Sequence, residues 1–382
     1  MRHAPLSHDA MEWSEVQRFI DEAASPDYPP IDTGVKHEPG IYFGMPEAEY
    51  HAIPALSSSG IKRLLISNMD FWAESWMNPR FEGNESEAMA LGSGYGVRVM
   101  EGREAFYSRY AEAFDKADYP DAVSKVSELT ACIKDCGITT GLSKMNKQEL
   151  IDLLKVTDPS VEILDELKAQ HLAEHDGKEF LTADKIREIE IAAYMIENDP
   201  EASKCFKGGY PEVTVIWIDP VTRVPMKARF DFLKIKAIVD LKSFSNPMGK
   251  SLYNAIAATM ASRKYHIQAA TYLEADRFAS RFVRAGRIFG EADPAWLEAY
   301  AEVEPVERSF IFVFQKTGIA PVTRVREFSR VLETYKVAEA SVRDAQHRFA
   351  KCWHHYGTDP WLDIKPMEQF GDEEFPIHIM EI

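Results

Sequence analysis

Apolar positions change their spacing along the chain. From Gly40 to Glu101 they recur at helical intervals. In LSSSGIKRLLIS, Ile61, Leu64 and Leu65 form one stripe, and a serine among Ser57 to Ser59 can cap the first turn. A second helix is predicted from about Glu87 through Met100; Gly92, Gly94 and Gly96 within it are poor helix formers and predict close packing there. In LSKMNKQELIDLLKV, Leu142, Met145, Leu150, Ile151, Leu153 and Leu154 give an amphipathic pattern, part of a helical module inserted over 126–180. This stretch also resembles SAP-type DNA-binding helices, against a plain packing role. A further helix, ADKIREIEIAAYMI, precedes Asp199-Pro200.

After Asp199-Pro200 the period drops to two. EVTVIWID (212–219), MKARFDFL (226–233) and KAIVDLKS (236–243) predict short strands, with turns at Asp219-Pro220 and Lys234–Lys236. One long helix is predicted from about Tyr253 to Phe282, then a strand at RSFIFVFQK (308–316), APVTRVREF (320–328) and a helix from about Arg330 to Tyr356. Residues 1–39 give a lead-in, a short helix followed by the proline-rich SPDYPP. Helices, a three-strand meander, a helix and more strand make an α/β (α+β) chain with a mixed central sheet. The expected parts are the lead-in 1–39, a helical part 40–125, the insert 126–180 and a core 181–382.

Composition narrows the function classes. The chain has 382 residues, 45% hydrophobic and 27% charged, enough for a large core. No apolar run of about 18 residues occurs, so no membrane helix is expected. The N-terminus shows no apolar signal core. Cys132, Cys136, Cys205 and Cys352 are too scattered for a disulfide framework, which fits a reducing cytoplasm. The net charge of −17 argues against nucleic acid as a partner. Locally the balance reverses: Pro225 to Ser280 holds nine Lys/Arg against four Asp/Glu, so the window is +5 and the remainder −22. An acidic body with one basic groove accommodates DNA.

That basic window also carries the candidate chemistry, RFD231FLKIKAIVD240LK242. Asp240 and Lys242 are two apart on a strand and share a face; Asp231 lies on the antiparallel neighbour. Charges converging in an apolar strand pair are costly unless they serve each other or a cation. Two hard carboxylates suit Mg²⁺ or Mn²⁺, and the Leu241 carbonyl offers a third ligand. A lysine beside them can orient or deprotonate a water. Glu212 adds a carboxylate on the preceding strand. Gln268 and Tyr272, four apart on a helix, share a face and can fix a phosphate or the lysine. A solvated Asp–Lys pair at a strand edge is the bland alternative.

The order E…RxD…DLK…QxxxY resembles the RecB-like branch of PD-(D/E)XK nucleases, and within it the RecE-like, exodeoxyribonuclease VIII family. GIYFGMPEAEYHAIPALSSSGIKRLL, LGSGYGVRVMEG, GKEFLTADKIREIE and SFIFVF are similar to that family's other blocks, from about Gly40 to Pro376 apart from the insert. The resemblance implies a restriction-endonuclease-like core and a metal-dependent exonuclease acting on linear duplex DNA. It implies 5′-strand resection beside a RecT-like annealing protein in phage-type recombination, and a homo-oligomer. Asp231 and Asp240 would be metal ligands, Lys242 the catalytic lysine, Glu212 an accessory acid, and Gln268 and Tyr272 the QxxxY pair. The family's metal-binding histidine is Gly96 here. Single-strand cleavage at the same site, or a catalytically weakened DNA-binding protein, are the rival readings.

Other candidates are bland. His51 or His266 could replace the missing histidine but read first as structural. Cys132 and Cys136 do not match an iron–sulfur spacing. His354 and His355 read as helix surface, and Trp72, Trp76 and Tyr95 as packing rather than base-stacking.

Overall fold

A computed structural model describes residues 28–83, 87–318 and 320–363. The helix expected before SPDYPP lies outside them, as does the end of the family-like stretch. Contacts divide the chain into one unit of 1–85, 199–316 and 322–382, and a second of 86–198 with 317–321. The expected insert at 126–180 lies wholly inside the second unit. No helix among the described residues is long and apolar enough to cross a membrane.

The strands in chain order are β1 (Gly40–Tyr42), β2 (Tyr110–Glu112), β3 (Glu179–Leu181), β4 (Gly209–Ile218), β5 (Pro225–Lys234), β6 (Ala237–Phe244), β7 (Ile288–Phe289), β8 (Ser309–Lys316) and β9 (Val322–Glu327). Seven of them make a mixed sheet in the order β7-β1-β4-β5-β6-β8-β9. The β4–β5–β6 meander is antiparallel, whereas β6 lies parallel to β8 and β1 parallel to β7. The mixed α/β architecture is therefore as the periodicity predicts.

Burial explains why β4 reads as a nearly unbroken apolar run. Val213, Val215 and Trp217 enter the main core, while Ile216 on the other face packs with Tyr50 of the short helix Glu47–Ala52 and with Ile53 just after it. A strand covered on both faces loses its polar alternation. The helix Tyr265–Arg284 supplies Ile267, Ala269, Leu273, Phe278 and Phe282 to the main core.

One expectation is corrected. The helix predicted to run unbroken from Tyr253 to Phe282 is two helices, Leu252–Ser262 and Tyr265–Arg284. Lys264 between them has φ +49°, in the left-handed region. A side chain with a Cβ there ends the first helix and re-aims the second.

The second unit has its own small core of Leu129, Ile133, Leu142, Leu150, Ile151, Leu154 and Ile163. Its helix Lys147–Thr157 starts with a reciprocal Asn146–Glu149 capping box. Of the glycines expected to mark close packing, Gly94 does: a Cβ there would stand 3.3 Å from Ile189. A Cβ at Gly92 would meet nothing within 4 Å, so no close approach explains that glycine.

Candidate active site

The sheet opens between β5 and β6. Their pairing covers Leu233↔Ile238 and Phe232↔Val239 and stops there, although β6 stays paired with β8 through Phe244. The next positions in that register are Asp231 and Asp240. The gap is closed by a side chain: the Leu241 N–H donates to Asp231 Oδ2 at 2.8 Å. An acidic side chain thus takes the place of a ladder bond and is held at the fork by it.

Asp240 is fully buried. Its Oδ1 accepts a 2.8 Å hydrogen bond from Gln268 Nε2, and the Lys242 ammonium lies 2.8 Å from Oδ2. That ion pair takes up Oδ2, so both oxygens of the buried carboxylate are engaged. Burial, reinforced by the Asp231 charge, pushes the Asp240 carboxyl up to about 7. Burial disfavours the Lys242 ammonium, but the Asp240 and Asp231 charges outweigh it and hold the lysine protonated above its ordinary range. The Lys242 ammonium also lies 5.1 Å from the centre of the Tyr265 ring.

The expected face-sharing of Gln268 and Tyr272 is present, with a different object. Gln268 grips the Asp240 carboxylate rather than a lysine. Tyr272 is buried, stands edge-on to Phe230 at 5.5 Å, and lies beside the Gln268 side chain.

Glu212 sits opposite Asp231 in the β4–β5 register, where pairing is interrupted between Pro211↔Phe232 and Val213↔Phe230. Its φ is +54°, so the strand kinks there. Its carboxylate is taken by the Arg229 guanidinium, which also donates to the Met45 carbonyl at 2.9 Å. Burial, with the Asp231 charge, still raises Glu212 to about 7. The described residues contain no group of three or more His, Cys, Asp or Glu arranged around one point. What fits a hard divalent cation is a smaller oxygen set: Asp231, Asp240 and the Leu241 carbonyl. Water and substrate oxygens would complete it.

The bland readings hold for the remaining candidates. His51 pairs with Glu47 on an exposed helix face, and burial lowers the pKa of His266, which is bonded to the Met260 backbone. Gly96 belongs to the second unit, where a Cβ would meet Met100 at 3.1 Å. Trp72 donates to the Thr358 carbonyl, Trp76 packs on Phe71 and Phe349, and Tyr95 is buried. Cys132 and Cys136 are free thiols. His354 and His355 lie exposed in the last turn of Glu333–Tyr356.

Lys62, on the helix Ser58–Leu64, is the neighbour that the sequence reading passes over. Its ammonium lies 5.3 Å from the centre of the same Tyr265 ring that Lys242 approaches. The available signal was its place beside Ile61 on the edge of the buried stripe.

A family model described as a PDDEXK-like domain of unknown function (DUF3799) matches residues 57–281. The match opens on the cap residue Ser57 and spans Lys62, Glu212, Asp231, Asp240, Lys242, Gln268 and Tyr272. Among solved structures, a protein from Eubacterium rectale with a provisional exonuclease name is similar at 13% identity and a TM-score of 0.42, over 87% of this chain and 98% of that one. No curated protein matches the chain.

Proposed function

We propose, from the premise that this chain belongs to the PDDEXK-like domain family of unknown function (DUF3799), that it is a metal-dependent nuclease hydrolysing DNA phosphodiester bonds. The observation that carries this reading is the open strand fork, where Asp231 is held by the Leu241 N–H and the wholly buried Asp240 is held by Gln268 and paired with Lys242 at 2.8 Å. Two carboxylates and one ammonium in an apolar sheet leave a negative excess that is unfavourable unless a cation joins them. Asp231 across the open strand fork and the Leu241 carbonyl would share that cation, Mg²⁺ or Mn²⁺, with Glu212 as an accessory acid. When bound, the cation would acidify a water and neutralise charge on the pentacovalent phosphorus.

The chain's own groups do the rest. Asp231 and Asp240 are fixed before any ligand arrives, by the Leu241 amide and the Gln268 amide respectively. Lys242 stays protonated between two carboxylates and can donate to a phosphate oxygen or orient the attacking water.

The motif order supports a finer reading: a RecE-like exonuclease on linear duplex DNA, resecting 5′ strands as a homo-oligomer beside a RecT-like annealing protein. Gly96, where that family has a histidine ligand, favours a second reading, a weakened DNA-binding protein of the same fold. Linear and circular duplexes incubated with Mg²⁺ separate them. Acid-soluble nucleotides from linear DNA alone, abolished by Lys242→Ala, support the exonuclease. Cleavage of circles points to an endonuclease. Binding without turnover in either protein leaves the weakened binder.

A further inference from the structure

Two lysine ammonium groups approach one aromatic ring at this site, and only one of them has a counter-ion. Lys242 is paired with Asp240 at 2.8 Å. Among the described residues Lys62 has no carboxylate partner at ion-pair distance, only the Tyr265 ring at 5.3 Å. Its helix leaves it little freedom. Ile61 and Leu64 on either side are fully buried, Ser57 caps the first turn, and a Cβ at Gly60 would stand 3.0 Å from both Leu56 and Phe71.

We propose that Lys62 is a phosphate-binding residue of the same site, contacting a non-bridging oxygen of the substrate backbone beside the Asp231–Asp240 fork. The proposal rests on the nuclease reading above and adds a contact to it. A half-buried cation next to another cation is unfavourable unless an anion reaches it. Burial, together with the nearby Lys242 charge, lowers Lys62 to about 8. The Asp240 charge opposes this, and Arg263 and Lys264 add further positive charge. A cation shared by Asp231 and Asp240 would absorb that remaining negative field. A nucleic-acid backbone supplies the missing anion, one charge per phosphodiester.

Lys62→Met keeps the apolar stem on Tyr265 and removes the charge; Lys62→Arg keeps both. DNA affinity is measured in EDTA over a salt series, so that binding is read without cleavage. Loss of one phosphate contact predicts that the slope of log K against log salt falls by about 0.7–0.9 in Lys62→Met and returns to the wild-type slope in Lys62→Arg. In steady-state assays with Mg²⁺, KM rises about tenfold in Lys62→Met while kcat changes less, the signature of a contact made equally in substrate and transition state. A folded Lys62→Met with wild-type slope and KM overturns the proposal, and a wild-type protein that binds no DNA overturns it together with the nuclease reading. Altered slope in a wild-type background that releases no nucleotides keeps the Lys62 contact and rejects only the nuclease reading.

Discussion

Asp231 Oδ2 accepts the Leu241 N–H at 2.8 Å across the opening between β5 and β6. The same carboxylate therefore serves the fold and the proposed metal site, and two substitutions separate these roles. Asp231→Asn keeps an acceptor for the amide and loses the charge. Asp231→Ala leaves the amide without a partner, which costs about 1–3 kcal/mol. Both variants should lose nucleotide release by about a hundredfold or more, as expected for a lost charge at the metal. In denaturant unfolding only the alanine variant should be clearly destabilised. Equal stability of the two would mean that the carboxylate is not closing the fork.

Gln268 acts on the reaction only through Asp240. Truncation to alanine frees the fully buried Oδ1 and lets the carboxylate turn. The expected loss is in kcat, about ten- to a hundredfold, with KM little changed, because a misaimed ligand affects the reacting centre more than distant binding. Tyr272→Phe should show a milder form of the same loss. A pure KM effect in Gln268→Ala would place Gln268 on the substrate instead.

Burial and the Asp231 charge raise the Asp240 carboxyl to about 7 in the metal-free protein although Lys242 pulls it down, so protonation competes with a cation below that pH. A cation must displace that proton, so below this pH its apparent affinity falls by about tenfold per pH unit. Above about pH 7 the dependence on this group disappears. Calorimetric Mg²⁺ titrations at about pH 6 and about pH 8, in buffers of different ionisation heat, measure both the affinity and the proton released. Identical affinity at the two values, with no proton release, would remove Asp240 from the ligand set. Chelation with EDTA should abolish hydrolysis, and added Mg²⁺ or Mn²⁺ should restore it.

Much of this architecture is legible in the residues. The runs at 212–219, 226–233 and 236–243 predict three strands, and the i, i+2 spacing puts Asp240 and Lys242 together, because period and pleat are local properties. Lys242 lies 2.8 Å from Asp240, a contact that the shared face allows. Tertiary relationships are not legible in this way. The Arg229 grip on Glu212 depends on a left-handed residue inside a strand, which no propensity marks. The break at Lys264 is hidden because polar Arg263 and Lys264 fit a helix surface equally well. Lys62 lies far from the motif in sequence, and its approach to Tyr265 exists only after the helix Ser58–Leu64 docks.

Away from the site, Arg308 and Asp276 form an ion pair with both side chains at 0% exposure. Arg308 also donates to Ser280 Oγ at 2.6 Å and to the Ile235 and Val303 carbonyls, and Tyr300 donates to Asp276 at 2.6 Å. The network ties the central helix to the chain entering β6 and β8. Arg308→Met leaves a buried carboxylate and several carbonyls unpaired, which predicts a loss of about 3–5 kcal/mol in denaturant unfolding. Asp276→Asn retains acceptors for Tyr300 and Arg308 and should lose less. A near-neutral Arg308→Met would show that the network's desolvation penalty already cancels its attraction.

Glu274 gives a stability test independent of the metal site. Burial, then the neighbouring Asp219 charge, raises its carboxyl from the usual 4.5 to about 7; Arg343, with its Nη2 3.7 Å away, and Gln346, at 3.2 Å, only partly offset this. The sign follows from proton counting. Between about pH 4.5 and about pH 7 the folded chain holds a proton that the unfolded chain has released. Stability therefore falls as pH rises through that window and stays lower above it. The slope from this group is at most about 1.4 kcal/mol per pH unit. The side chain keeps 13% exposure, so the full slope is a ceiling. Glu274→Gln carries no titrating proton and keeps an acceptor for Gln346, so it should lack this part of the fall. Unfolding free energies for both proteins, in EDTA, are compared at about pH 5 and about pH 8. Contributions from Asp240 and Glu212 are common to the two proteins and cancel in the difference. The glutamine variant should gain on the wild type as pH rises, and parallel curves would mean that Glu274 is ionised throughout.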